Sequence, residues 1–180
     1  MFSLPSQVTT LILPTVDSNL VSLFAMELLL ASFEAELHEE VYDNKLLPIA
    51  AAVPTYGIYI SKIDPKIAIL LRRSQVQFGQ RKKYFEQLKS LPVALIGVGS
   101  LPIYLKTDTV LSKGRDTEES TKFGIESFVV YCENGDIVTS AAKLALSFMT
   151  WLEKKEEYKR TSQKALNVFP KVKESGKINF

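Results

Sequence analysis

The stretch that most restricts how this chain can fold is residues 20–33, LVSLFAMELLLASF. On a helix, its apolar residues Leu20, Val21, Leu23, Phe24, Met26, Leu28, Leu29 and Leu30 fall around most of the circumference. A helix that is apolar all round has to be covered by more than one neighbouring element. The run is only fourteen residues long and holds Glu27 in its middle. A membrane-spanning helix needs about 20 apolar residues, so this one reads as the inside of a folded domain. Asp17 or Ser18 can cap its start. The pattern predicts a helix over residues 19–41, with a second half that is amphipathic and acidic.

Short β-prone runs surround this helix. Residues 8–13 (VTTLIL) read as a strand stopped by Pro14. Residues 55–61 and 66–71 read as two strands of a hairpin, with Asp64-Pro65 as the turn. Residues 93–98 and 101–106 read as two extended runs split at Gly99-Ser100, and residues 124–133 as a further strand before Asn134-Gly135. Residues 74–88 and 136–158 read as helices. In the second of these, Ile137, Ala141, Leu144, Ala145, Phe148 and Leu152 share a face.

This order of elements predicts an α+β fold. The expectation is a single domain over residues 1–180, with an antiparallel or mixed sheet of five to six strands. Two long helices and one shorter helix pack on one face. A polar loop occupies residues 107–123, and a basic C-terminal tail begins at about residue 159. The length suits one domain with a core of its own, and 46% hydrophobic against 23% charged residues is ordinary for a globular protein. One cysteine excludes an internal disulfide framework. The first residues lack a basic segment and a small-residue cleavage site, so no classical secretion signal is expected. The expected location is the cytoplasm or a virion.

The charges are sorted along the chain. Residues 1–60 carry one basic group, Lys45, against seven acidic ones, whereas residues 61–180 carry 21 basic and 13 acidic groups. Opposite fields on one small molecule favour contact with further copies or with a charged protein partner. The acidic candidates are Glu34, Glu36, Glu39, Glu40 and Asp43. The basic candidates are Arg72, Arg73, Arg81, Lys82, Lys83 and Lys89, interleaved with Phe78, Tyr84 and Phe85. Cations among aromatics can hold nucleic acid. Here the spacing of Phe78, Phe85 and Leu88 gives a buried face, and the pI of 8.5 is low for a dedicated nucleic-acid domain. A protein-facing surface is the favoured reading. Lys113 and Arg115, at the tip of the polar loop, would form an arm onto a neighbour.

No motif supports a catalytic, cofactor or metal site. IGVGSLP offers Gly97 and Gly99 but has Pro102 where a dinucleotide loop needs its third glycine. His38 and Cys132 are the only His and Cys, too few for a zinc site. A dyad of the two is formally available, but Cys132 ends an apolar strand, where a packed thiol is the usual outcome. The Glu-x-x-His pattern of carboxylate metal bundles is missing, because Ala35 stands three residues before His38.

The leading expectation is a non-enzymatic structural or interaction subunit of a multi-copy assembly, docking acidic surface to basic surface. Its general layout is similar to small α+β connector or terminator components of phage tails, a likeness in the order of elements alone. Two alternatives stand beside it. One is a small cytosolic enzyme holding an anionic substrate with Arg72, Arg73, Arg81 or Lys83. The other is an assembly chaperone or adaptor that binds a protein through the apolar helix over residues 19–41.

Overall fold

A computed structural model describes residues 3–15, 20–46, 56–77, 79–102, 125–132 and 137–174. Six strands form one sheet: β1 (Thr10–Pro14), β2 (Ala35–Glu40), β3 (Tyr56–Ser61), β4 (Ile67–Arg72), β5 (Ala94–Pro102) and β6 (Glu126–Cys132). Their order is β2-β3-β4-β1-β5-β6. Strands β4, β1, β5 and β6 run parallel, while β2, β3 and β4 form an antiparallel meander. The sheet is therefore mixed, as the order of elements predicts. The hairpin at Asp64-Pro65 also forms, with the Ile67 amide donating to the Asp64 carbonyl at 3.0 Å.

The helices, among the described residues, are α1 (Leu20–Ser32), α2 (Arg81–Lys89), α3 (Ile137–Glu153) and α4 (Lys159–Glu174). They do not share one face, as expected from sequence. Ile12, Ile67, Ile69, Leu71, Ile96 and Val98 point from the sheet into a core with α1, α3 and α4. The alternate residues Leu11, Leu13, Ile58, Ala68 and Leu70 point the other way, onto Tyr84, Phe85 and Leu88 of α2. Central strands with both faces covered read as continuous apolar runs, and all five residues of β1 are buried.

The long apolar helix is covered from several sides. Val21, Ala25, Met26, Leu28 and Leu29 of α1 are buried, in one cluster with sheet residues and with α3 and α4. Its Ser22 Oγ accepts a hydrogen bond from the Ser100 amide at 3.0 Å, which ties α1 to β5.

The helix stops at Ser32 rather than Val41. Glu34 adopts a left-handed φ of 47°, its amide bonds the Ala31 carbonyl at 3.1 Å, and the chain reverses into β2. Continuing the helix would have set Glu36, Glu39 and Glu40 on adjoining turns, where like charges repel. As a strand they hang from the ladder with β3.

Three other expectations are corrected. Residues 94–102 form one strand, not two. Gly97 and Gly99 permit close approach of Thr15, whose amide bonds the Val98 carbonyl at 2.8 Å. A Cβ on Gly99 would fall 1.6 Å from Thr15 Oγ1. Helix α2 begins at Arg81, because Val76 bridges Leu46 and the Gln77 amide bonds the Lys45 carbonyl at 2.7 Å. The supposed tail holds α4, with Ala165 and Phe169 buried and Thr161 Oγ1 donating to Asp64 Oδ2 at 2.8 Å.

Candidate protein interface

The acidic candidates converge on an edge of the sheet. Strand β2 pairs with β3 and, among the described residues, is the outermost strand on that side. A bulge between Leu37 and Glu39 re-aims its side chains: Glu36 and Glu39 oppose Ile60 and Ile58, and Leu37 and Glu40 oppose Tyr59 and Gly57. Glu34, Glu36 and Glu40 are exposed. Glu36 pairs with Lys62 in the open, and Glu39 accepts from the Ser3 amide at 3.3 Å. Exposed ion pairs of this kind are worth roughly 0–1 kcal/mol, so the charge remains on offer to a partner. Among these carboxylates stand Leu37, 47% exposed, and Tyr42, 84% exposed. Apolar and aromatic anchors inside a polar rim are the composition of protein interfaces. Asp43 is different. Its side chain is 6% exposed and holds Lys45 Nζ at 3.0 Å, which also donates to Gln87 Oε1 of α2 at 2.9 Å.

The basic candidates do not form one patch. Arg72 is 1% exposed, on the α2 face of β4, with its guanidinium carbon 5.3 Å from the centre of the Tyr84 ring. Its Nε and Nη1 are buried without a hydrogen-bond partner. Arg73 reaches back to α1, its Nη2 2.7 Å from Glu27 Oε1. Arg81, Lys82, Lys83 and Lys89 lie on α2, where Lys82 faces Glu86 at 3.9 Å. Lys113, Arg115 and Phe78 lie outside the described residues. Among the described residues, no ion pair joins Glu34, Glu36, Glu39 or Glu40 to residues 72–89.

Two clefts lie among the described residues. A cleft of about 610 Å³ is lined by Val41, Tyr42, Asp43, Asn44, Lys45 and Gln87. Another, of about 440 Å³, lies between the starts of β5 and β6 and the α3–α4 turn. Neither is lined by Arg72, Arg73, Arg81 or Lys83. In the first cleft Asp43 and Lys45 are committed to each other. In the second, Lys155 Nζ is held by both oxygens of Glu126, at 2.6 and 2.8 Å. His38 and Cys132 sit on the two opposite outer strands, so they form no dyad. Among the described residues no three His, Cys, Asp or Glu side chains gather in a metal-binding group. No described helix is long and apolar enough to cross a membrane.

Beside Arg72 the rings of Tyr56 and Tyr84 lie 6.5 Å apart between centroids, tilted at 45°. Burial pushes the Tyr56 hydroxyl well above its ordinary pKa; the neighbouring Tyr84 and Asp43 push the same way, and Arg72 opposes them.

The exposed anchors Leu37 and Tyr42 escape a reading that makes residues 19–41 one helix. The alternation of Ala35 and Leu37 with Glu36 and His38 was the signal for a strand. Most of the apolar residues of α1 are buried in the core, while Leu20 is exposed and Leu23, Phe24 and Leu30 are half-buried.

A mixed six-stranded sheet between helices defines an α+β protein of a kind already seen in solved structures. One is a protein of unknown function from Thermoplasma acidophilum. It matches with a TM-score of 0.59 and 10% identity, over 94% of this chain and 87% of that one. Another is PbaA from Pyrococcus furiosus, an archaeal homolog of proteasome-assembly chaperone, at TM-score 0.57 and 14% identity, over 96% of this chain and 94% of that one. At such identities the likeness is one of fold. No family model and no curated protein matches the sequence.

Proposed function

We propose that this chain is a non-enzymatic assembly factor, one that holds protein subunits while a larger complex is put together. The observation that carries the reading is the fold shared with the archaeal homolog of proteasome-assembly chaperone, across almost the full length of both chains. Proteasome subunits are accordingly the first partner class to test. The docking surface in this reading is the β2 edge, where Leu37 and Tyr42 stand among Glu34, Glu36, Glu39 and Glu40. Its partner would present basic groups around an apolar socket. The viral tail or neck component draws no support from either structural neighbour.

The test is to isolate a tagged copy from its native cells, separate the captured material by size, and identify it by mass spectrometry. Incomplete proteasome intermediates, absent from the same experiment with Glu36→Lys/Glu40→Lys, are the expected catch. Recovery of the chain alone, or only on finished particles, would overturn the proposal.

A further inference from the structure

The two faces of β2 carry different chemistry, and the bulge sorts them. A regular strand alternates strictly, which would set Glu36, His38 and Glu40 on one face and Leu37 and Glu39 on the other. The extra residue between Leu37 and Glu39 breaks that alternation. Glu36 and Glu39 lie opposite Ile60 and Ile58, on the side of α2. Leu37 and Glu40 lie opposite Tyr59 and Gly57, on the side of α1, where Tyr59 packs against the core. An apolar anchor and a carboxylate three residues apart are thereby brought to one face. The two faces also spend their charge differently. Glu36 pairs with Lys62, and Glu39 accepts from the Ser3 amide. Glu40 is exposed and, among the described residues, its carboxylate has no ion pair or hydrogen bond. Beside it, Leu37 leans over Gly57: its Cδ1 lies 3.0 Å from where a Cβ on that glycine would stand, and Tyr59 Cε2 lies 3.2 Å from the same point. Leu37, Gly57 and the half-buried Tyr59 make one apolar ledge. The segments that border it, residues 32–46 and 56–72, are all described.

We infer that the α1-side face of β2 and β3, rather than the backbone edge of β2, takes the partner, and that the partner offers an amphipathic helix with lysine or arginine beside its apolar stripe. The inference rests on the docking surface proposed above and narrows it to Leu37, Glu40 and Tyr59. A strand is not the occupant, because a bulge and glutamates on both faces make β2 a poor template for a further strand. Sheet faces are covered by helices, and α1 already packs on Ile12 of β1 and on Ile67 and Ile69 of β4 on this side. A partner helix laid beside α1 sets its apolar stripe on Leu37 and Tyr59 and a cation on Glu40. Complementary charge of that kind selects the partner and fixes its register. Glu36 and Glu39, turned to the other side and held by Lys62 and Ser3, take no part.

The experiment titrates the purified full chain with a helical peptide of leucine and lysine, about 15 residues long so that it holds its helix and patterned to give one apolar face. The same peptide with glutamate for lysine is the control. Nuclear magnetic resonance on the unaltered chain should show the amides of Leu37, Glu40, Gly57 and Tyr59 shifting with the lysine peptide and not with the glutamate one. At physiological salt, where the screening length is about 8 Å, Leu37→Asp and Glu40→Lys should each weaken binding about tenfold. Glu36→Lys, on the other face, should weaken it less than about threefold. Should a variant lose its helical circular dichroism, the map on the unaltered chain decides. No binding at roughly 1 mM peptide, far above a micromolar dissociation constant, overturns the inference. So do shifts centred on α2, equal binding of the glutamate peptide, and a loss with Glu36→Lys as large as with Glu40→Lys. A chain that binds the lysine helix on this face yet recovers no proteasome intermediates keeps the surface and loses only the partner class. Capture of intermediates undiminished by Leu37→Asp does the reverse.

Discussion

The two ends of the sheet are held by different chemistry. At the β6 end the cement is aromatic: Phe128 meets Phe148 at 5.8 Å and Trp151 at 5.3 Å, with Lys155 laid over the Trp151 ring at 4.7 Å. At the β2 end the links are polar: Asp43 to Lys45 to Gln87, Arg73 to Glu27, Arg72 over Tyr84 beside Tyr56. Aromatic packing is strong but says little about register or partner. Charged and hydroxyl groups add little net stability but penalise wrong neighbours heavily. One end of the sheet is thus braced mainly by aromatic packing, the other mainly by charged and hydroxyl groups.

Replacing the buried Phe148 by Ala should give the largest effect, because it empties the space beneath both Phe128 and Trp151. A loss of about 3–5 kcal/mol in urea unfolding is expected; a loss under about 1 kcal/mol would mean that the aromatic end is not what braces β6. At the polar end the sign changes. Arg72→Met removes a charge whose Nε and Nη1 lie buried and unbonded. Relief of about 1–3 kcal/mol per unsatisfied group opposes the loss of a cation–π contact worth about 2 kcal/mol when desolvated. The expected outcome is anything from no change to a gain of about 2 kcal/mol, and a clear loss would break the contrast between the ends.

The third prediction concerns alkaline pH. Burial raises the Tyr56 pKa in the folded state above its ordinary value of about 10. Above pH 10 the unfolded chain gives up this proton first, so folding binds more protons than unfolding. Stability is full below about pH 10 and falls as pH rises beyond it. Tyr56→Phe should flatten that limb in pH-dependent thermal melts; an unaltered slope would detach Tyr56 from it. The smallest stability effect is expected for Glu36→Val with Glu40→Val, within about 0.5 kcal/mol. Light scattering should nonetheless grow with concentration, since the guard on β2 is gone. If solutions stay clear, the carboxylates are not what keeps that edge single.

How much of this was legible beforehand varies along the chain. The β3–β4 hairpin was readable because Asp64-Pro65 interrupts two short β-prone apolar runs. The buried face of α3 was readable because a single helix repeats itself every 3.6 residues. Residues 34–41 fall in the helix predicted over 19–41, since glutamate favours helices and the strand state exists only through pairing with β3. The acidic residues thus lie on a strand at the sheet's side rather than on the predicted helix. Of the basic ones, Arg72 was offered as surface and lies in the core, because charge in a sequence does not state its burial.

The sequence by itself determined the class of fold, the need to cover the α1 helix on several sides, and the presence of charge in the first third that no local neighbour could balance. These are local or additive properties: periodicity, composition, hydropathy. Tertiary structure alone decided that the acidic run becomes a strand paired with β3, that helices cover both faces of the sheet, and that residues 159–174 dock as a helix. Each of those depends on which distant segments pair. Such pairings are set by the packing of the whole chain rather than by any stretch of it.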